Sequence, residues 1–327
     1  MLKKDERLAL VVARYYYFDD LPQGQIAQQL GLSRQKVNRL LKKAKEWGLV
    51  QITLASNALW DLEESLQTLF ALKEAQVVDA RESTLSEDVG RMAAEFMVRR
   101  ASTAKVVGIS WGNTLSSMIP WLNRMSAGSE KKEALVQLNG SLTRSFSPTN
   151  AGVLFESVSR VINAPTYQLP VPAVVESSDL RNKFTHESSV KSILELGRQA
   201  DLAVFGVGIP ESQSVLAQAG YLDSDELSEL KDRYQAVGDI CSRYFTKDGN
   251  IAWRELDQRT IGIELEDLLR IPDRLCIAFG NHKEPAVSAA LRKGYISSLV
   301  VDQSLAKAIL SAANHRIAIS VQKGSVD

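Results

Sequence analysis

The chain is poor in the residues that mark secreted, metal-binding or membrane proteins. It has two cysteines in 327 residues, Cys241 and Cys276. Two thiols cannot build a disulfide framework, nor a zinc site by themselves. Each stands beside apolar residues (Ile240; Leu275 and Ile277) and reads as a buried free thiol. There are only three histidines, His186, His282 and His315, and nothing pairs His282 with a base or metal partner. No apolar run reaches the ~18 residues of a membrane span. The first apolar stretch follows acidic groups, ends at Asp19-Asp20 and has no small-residue cleavage site, so it does not read as a signal peptide. These absences predict a reduced, soluble, cytoplasmic protein with no membrane contact, no metal and no cofactor.

Net charge is also missing, with 39 basic residues against 39 acidic ones. That balance hides a split. Residues 1–56 hold ten basic and five acidic groups, and residues 57–327 hold 29 and 34. A basic head on an acidic body suggests an anionic partner for the head alone. With 45% hydrophobic and 24% charged residues the chain is of ordinary globular composition. Its length suggests about two domains. We place them at 1–56 and 57–327.

In the head, Leu8, Val11, Val12, Tyr15 and Tyr16 recur at helical spacing. Pro22 ends that helix, because it disfavours helical geometry at Leu21. A short helix from Gln23 to Leu30 follows, then Gly31 as a left-handed terminator. Ser33 is placed to cap a third helix, from about Arg34 to Trp47. The offsets of Ala27, Gly31 and Val37 are those of a helix-turn-helix: a small residue where the helices touch, a glycine in the turn, and an aliphatic plug on the second helix. Between its apolar positions the third helix shows Ser33, Arg34, Gln35, Lys36, Asn38 and Arg39 in its N-terminal half. Those side chains suit base edges in the major groove of double-stranded DNA. Lys42 and Lys43 lie further along and suit phosphates. The competing explanation is a solvated basic face on a three-helix bundle; the Ala27–Gly31–Val37 spacing favours DNA. Residues 49–54 read as a short β segment.

In the body, residues 58–72 form an amphipathic helix able to pair protomers or to pack on its own domain. Short apolar runs at 76–78, 105–109, 135–138, 202–205, 275–279 and 299–301 then alternate with helical stretches at 86–101, 113–126, 151–162, 188–199, 284–293 and 304–313. This alternation predicts an α/β fold, a doubly wound, mainly parallel sheet, preceded by the small all-α head. Ligands of such sheets bind at the C-terminal strand ends. Four strand ends carry glycine turns: Ser110-Trp111-Gly112-Asn113-Thr114, Asn139-Gly140-Ser141, Gly206-Val207-Gly208 and Gly280-Asn281-His282-Lys283. One such turn taken singly is more often a tight connection than a site. Four on one sheet edge point to a pocket.

The order of segments is more specific still: a helix-turn-helix, GISWGNTL at 108–115, VQLNGS at 136–141, DLAVFGVG at 201–208, AVGDICSRYFTKDG at 236–249, FGNHK at 279–283 and KGYISSLVVD at 293–302. This order resembles the SorC family of sugar-responsive bacterial transcription regulators over nearly the whole chain. The resemblance implies a winged-helix-like head and a body with the sugar-phosphate isomerase-like fold. It implies homo-oligomers, tetramers in particular, and control of a carbohydrate operon. It also implies an effector, a sugar or sugar phosphate, held by Ser110, Gly112, Asn113 and Thr114, with Asp239 accepting from hydroxyls and Lys283 completing an anion site. Asn139, Gly140, Ser141, Gly206 and Gly208 fall on the same edge. Three positions depart from the family pattern: Phe279 where a glycine is usual, Ser110 where glycine is frequent, and Asn139 where some members carry Arg or Lys. An Asn brings no charge and forms no Schiff base, which argues against a bisphosphate or a covalently held aldehyde.

The alternative from another class is an isomerase with an accessory DNA-binding domain. Isomerisation needs a positioned general base, and no histidine stands in a strand-end turn beside a carboxylate. His282 reads as a surface residue. A third reading, a phosphotransferase-regulated antiterminator, requires regulatory histidine pairs and an RNA-binding head that the sequence lacks.

Overall fold

The computed structural model describes residues 4–17, 19, 21–50, 58–142 and 151–324. Contacts divide the chain into two compact units, Met1–Ser56 and Asn57–Asp327.

The described residues of the first unit form three helices: α1 (Lys4–Tyr17), α2 (Gln23–Gln29) and α3 (Arg34–Glu46). Ala9, Val12, Ile26, Val37, Leu40 and Leu41 close a small core between them. Ala27 is buried in it. Gly31 turns the chain with φ +63°, a conformation that costs glycine least. Ser33 caps α3, its hydroxyl accepting from the Lys36 N–H at 3.2 Å. The strand expected at 49–54 is not formed at its start. Leu49 and Val50 donate to the Ala44 carbonyl at 2.9 and 3.1 Å and so close the end of α3. Residues 51–54 lie outside the described residues.

The second unit has nine strands among its described residues: β1 (Glu74–Val78), β2 (Val106–Ile109), β3 (Ala134–Gln137), β4 (Thr166–Tyr167), β5 (Leu202–Gly206), β6 (Ala236–Ile240), β7 (Arg243–Thr246), β8 (Asp273–Ala278) and β9 (Ser298–Asp302). Seven form one sheet in the order β1-β9-β8-β5-β2-β3-β4, and every pairing in it is parallel. β6 and β7 make a separate antiparallel hairpin. The central strands are apolar on both faces because both are covered. Val136, Ala203, Phe205, Cys276 and Leu299 face one layer. There they meet Leu66 from α4 (Ala58–Phe70), Val287 from the helix Glu284–Lys293 and Leu305 from the helix Gln303–Gly324. Val107, Leu135, Val204, Ile277 and Val300 face the other layer. They meet Phe96 and Met97 from α5 (Leu85–Ala101) and Phe155 from the helix Ala151–Ile162.

α4 packs on its own domain and also protects the sheet. Glu63 accepts from the Val77 N–H at 2.8 Å and from Gln76 Nε2 at 2.6 Å. A carboxylate thereby occupies the free edge of β1, where a second strand would otherwise pair. Burial raises the Glu63 pKa, against the two hydrogen bonds that lower it. The helix expected at 113–126 is broken into α6 (Asn113–Ser116) and α7 (Ile119–Leu122), with Pro120 in the first turn of the second piece. Among the described residues no helix is long and apolar enough to cross a membrane.

Candidate effector cavity and nucleic-acid interface

The sheet order dictates where a crevice must open. From β2 the chain moves outward to β3; from β5 it moves the opposite way to β8. The neighbouring strands β2 and β5 therefore send their following loops to opposite sides, and the gap beyond their C-terminal ends is the topological switch point. A cavity of about 270 Å³ lies there. That is near the lower end of small-molecule sites, about 300–1,000 Å³, and suits one small ligand. After β2, the Ser110 N–H still pairs with the Val204 carbonyl at 2.9 Å, and the chain then opens at Gly112. No atom lies within 4 Å of where a Gly112 Cβ would stand, so the backbone faces open space.

The β6–β7 hairpin supplies the acidic wall. Gly208 and Asp239 exchange backbone hydrogen bonds of 3.0 and 3.1 Å, which fastens the hairpin to the chain leaving β5. A Cβ on Gly208 would stand 2.1 Å from Asp239 Oδ1, so glycine is required for the carboxylate to occupy its place. Asp239 Oδ2 accepts from the Ser242 N–H at 3.2 Å. The turn residues Cys241 and Ser242 have φ of +52° and +71°. Left-handed geometry costs a non-glycine residue about 1–2 kcal/mol, so the turn needs an outside clamp. Arg243 provides it. Fully buried, it donates to the carbonyls of Ile263, Asp257, Thr260 and Gly262 and pairs with the carboxylates of Asp257 and Glu264.

The turn after β8 supplies the basic wall. Lys283 Nζ donates to Thr114 Oγ1 at 3.0 Å and stands 5.6 Å from the centre of the Phe279 ring. Gly280 N–H donates to Asp302 Oδ1 at 2.8 Å, which ties this turn to the end of β9. Burial pushes the Lys283 pKa down, while Cys276 and Asp239 oppose that shift. Burial likewise pushes Asp239 up to about 6, against the Ser242 N–H and the Lys283 charge. The Cys241 thiol, also in the wall, is driven to about 12 by burial and the nearby Asp239. It is an inert apolar surface rather than a nucleophile. Among the described lining residues Lys283 is the only Lys or Arg; its charge is felt by Asp239, and Glu211 also lines the cavity.

Nine of the effector residues expected from the sequence share this cavity: Ser110, Gly112, Asn113, Thr114, Asn139, Gly206, Gly208, Asp239 and Lys283. Gly140 and Ser141 do not. Past β3 the backbone stays extended and paired, with Gly140 N–H on the Ile261 carbonyl at 2.9 Å and Ser141 N–H on the Val171 carbonyl at 2.7 Å. A Gly140 Cβ would meet the Pro172 carbonyl at 2.6 Å, and the Ser141 hydroxyl is spent on the Leu169 carbonyl at 2.7 Å. His282 is exposed, as expected, yet lines the cavity. Trp111, Glu211, Ser214, Ser242 and Tyr244 also line it without having been singled out. Trp111 is fixed there by its indole N–H on the Gly140 carbonyl at 2.8 Å.

In the first unit, Ser33, Arg34, Gln35, Lys36, Asn38, Arg39 and Lys42 are exposed along α3, while Val37, Leu40 and Leu41 are buried. Lys43 is half-buried, with its ammonium 5.2 Å from the centre of the Trp47 ring. The exposed row begins at the N-terminal half of α3, the part of a recognition helix that meets base edges.

Comparison with known proteins places the chain in a family. The family model described as "Putative sugar-binding domain" matches residues 56–311. The model for sigma-70 region 4, a helix-turn-helix-like module, matches residues 3–46. The deoxyribonucleoside regulator of Bacillus subtilis is 34% identical over 317 residues, covering 95% of this chain and 99% of that protein. The chain belongs to the SorC family. The full-length sorbitol operon regulator SorC from Klebsiella pneumoniae has a similar structure, with TM-score 0.71 and 27% identity, covering 94% of this chain and all of that one. A DeoR family transcriptional regulator from Listeria monocytogenes gives TM-score 0.70 and 30% identity, over 77% of this chain and all of that one. This SorC-family chain is a transcriptional regulator with a DNA-binding head and a sugar-binding domain. Its relatives are named as regulators and not as enzymes, and the isomerase alternative finds no support.

Proposed function

We propose that this SorC-family regulator controls a carbohydrate uptake or catabolism operon in the cytoplasm and is switched by one monophosphorylated sugar per body domain. The observation that carries the reading is the pairing of walls in one cavity. Lys283 and Thr114 offer charge and a hydroxyl to an anionic end, and Asp239 offers an acceptor to hydroxyls. A single lining cation suits one phosphate better than two. The head binds operator DNA through Ser33, Arg34, Gln35, Lys36, Asn38, Arg39, Lys42 and Lys43. One helix-turn-helix reads only a few base pairs, so at least two heads act on one operator. That requirement favours a homo-oligomer, and the family favours a homotetramer.

A ligand shifts DNA affinity only through its differential affinity for two conformations. The test is operator binding by gel mobility, with plain and phosphorylated sugars, for the parent, Lys283→Ala and Asp239→Ala. Lys283→Ala should lose the response to phosphorylated sugars and keep sugar-free DNA affinity. Asp239→Ala should lose the response to both kinds. A parental response from Lys283→Ala contradicts the anion site.

A further inference from the structure

Tyr244 and Asn139 line the cavity and carry polar atoms that the described protein leaves unpaired. The Tyr244 hydroxyl and Asn139 Oδ1 are buried with no hydrogen-bond partner. Their residues are 3% and 1% exposed. Asn139 spends its other amide atom on Ser242, with Nδ2 donating to Oγ at 3.3 Å. Turning the amide over would exchange the atoms and leave an N–H₂ unpaired in place of the oxygen. Tyr244 lies directly opposite Asp239 in the β6–β7 hairpin. Cross-strand partners project from the same face, so the phenol and the carboxylate belong to one wall. Burial, with the Asp239 charge beside it, pushes the Tyr244 phenol well above its usual range; half-buried Ser214, beyond β5, opposes that shift but makes no hydrogen bond of proper geometry.

A buried polar atom without a partner costs about 1–3 kcal/mol. A side chain kept in that condition beside a cavity implies a partner that arrives with the ligand. An alcohol is the group that can answer both atoms, since it donates to an amide oxygen and either donates to or accepts from a phenol. Resting on the sugar-effector reading above, we propose that Tyr244 and Asn139 form a hydroxyl-reading subsite, so that this regulator selects a sugar bearing a hydroxyl at one buried ring or chain position and rejects its deoxy counterpart. In the ligand-free arrangement neither atom is open to water. Admitting the ligand hydroxyl requires a small rotation of the Asn139 amide and a shift of the half-buried Ser214.

The test uses the full chain and two readouts, calorimetric affinity and ligand-free thermal midpoint. The probes are pairs differing by one hydroxyl: ribose 5-phosphate with 2-deoxyribose 5-phosphate, and glucose 6-phosphate with its 2-, 3- and 4-deoxy analogues, each also without phosphate. The parent should bind one hydroxylated member at least ten-fold more tightly than its deoxy partner. Tyr244→Phe, which removes only the unpaired oxygen, should leave the ligand-free midpoint equal or higher and erase most of that ten-fold preference. Parental discrimination retained in Tyr244→Phe overturns the subsite, as does a parent that binds these sugars but ignores every deoxy change. A parent that binds none of them overturns the sugar-effector reading itself, a different result from failure of the subsite alone.

Discussion

Replacing Asp239 by Asn should make the protein more stable and less responsive. The Asp239 carboxyl is raised from 3.8 to about 6, chiefly by burial. Each unit corresponds to about 1.4 kcal/mol, so the ionised carboxylate costs the folded state at most about 3 kcal/mol. The side chain keeps some opening to the cavity, and water there trims the figure to about 1–3 kcal/mol. The raised pKa means that between about pH 4 and 6 the native state holds a proton that the unfolded chain has released. The penalty is absent below that window, grows through it, and is complete above it. Asn presents an oxygen to the Ser242 N–H without a charge, so it escapes the penalty. At pH 8 the variant should gain about 1–3 kcal/mol, a rise of about 2–10 °C in thermal midpoint for a domain of this size. The gain should shrink steadily as pH falls toward 4. Urea unfolding of both proteins at a series of pH values reads it directly. A variant no more stable than the parent at pH 8, or one whose gain is the same at pH 4.5 and pH 8, refutes the assignment of Asp239 as a charge held in place for ligand binding.

Other expectations follow from the same contacts. Arg34→Ala and Arg39→Ala, each on the exposed row of α3, should weaken operator binding by about 1–3 kcal/mol and relax specificity at one position if they meet base edges; unchanged affinity in folded variants, by fluorescence anisotropy, removes them from the groove. Arg243→Ala leaves Asp257 without its buried partner and Glu264 with Arg181 alone, and should destabilise the body by about 3–5 kcal/mol in chemical denaturation. Gly208→Ala drives a methyl into Asp239 Oδ1; it should abolish the sugar response in gel mobility while the head, a separate compact unit, still binds DNA.

The parallel sheet was legible because VVGI at 106–109 and LAVF at 202–205 are buried on both faces and therefore unbroken in sequence. The helix-turn-helix was legible because Ala27, Gly31 and Val37 have separate steric duties at fixed offsets. β4 was not legible: Thr166 and Tyr167 are two exposed residues with no apolar signature. The β6–β7 hairpin stood in the sequence only as a family motif. Its turn is Cys241-Ser242, not the Asn-Gly or Asp-Gly pair that usually advertises two left-handed residues. Alternation of Val237 and Asp239 with the buried Gly238 and Ile240 was the signal available for it. That omission also hid Tyr244, which reaches the cavity only because the hairpin folds it opposite Asp239. Gly140 and Ser141 read as site residues in the sequence because a glycine after a strand looks like a turn. The paired backbone that carries them onward depends on residues 169–173 and 261, whose proximity no local pattern encodes.

In the proposed complex a single sugar phosphate occupies the switch-point cavity with its two ends on opposite walls. The most direct measurement is a crystal structure of the full chain with the sugar phosphate that most alters its operator affinity. It should show one molecule per body domain, phosphate against Lys283 and Thr114 and hydroxyls against Asp239. Ligand density outside this cavity, or a phosphate placed away from Lys283, would contradict it.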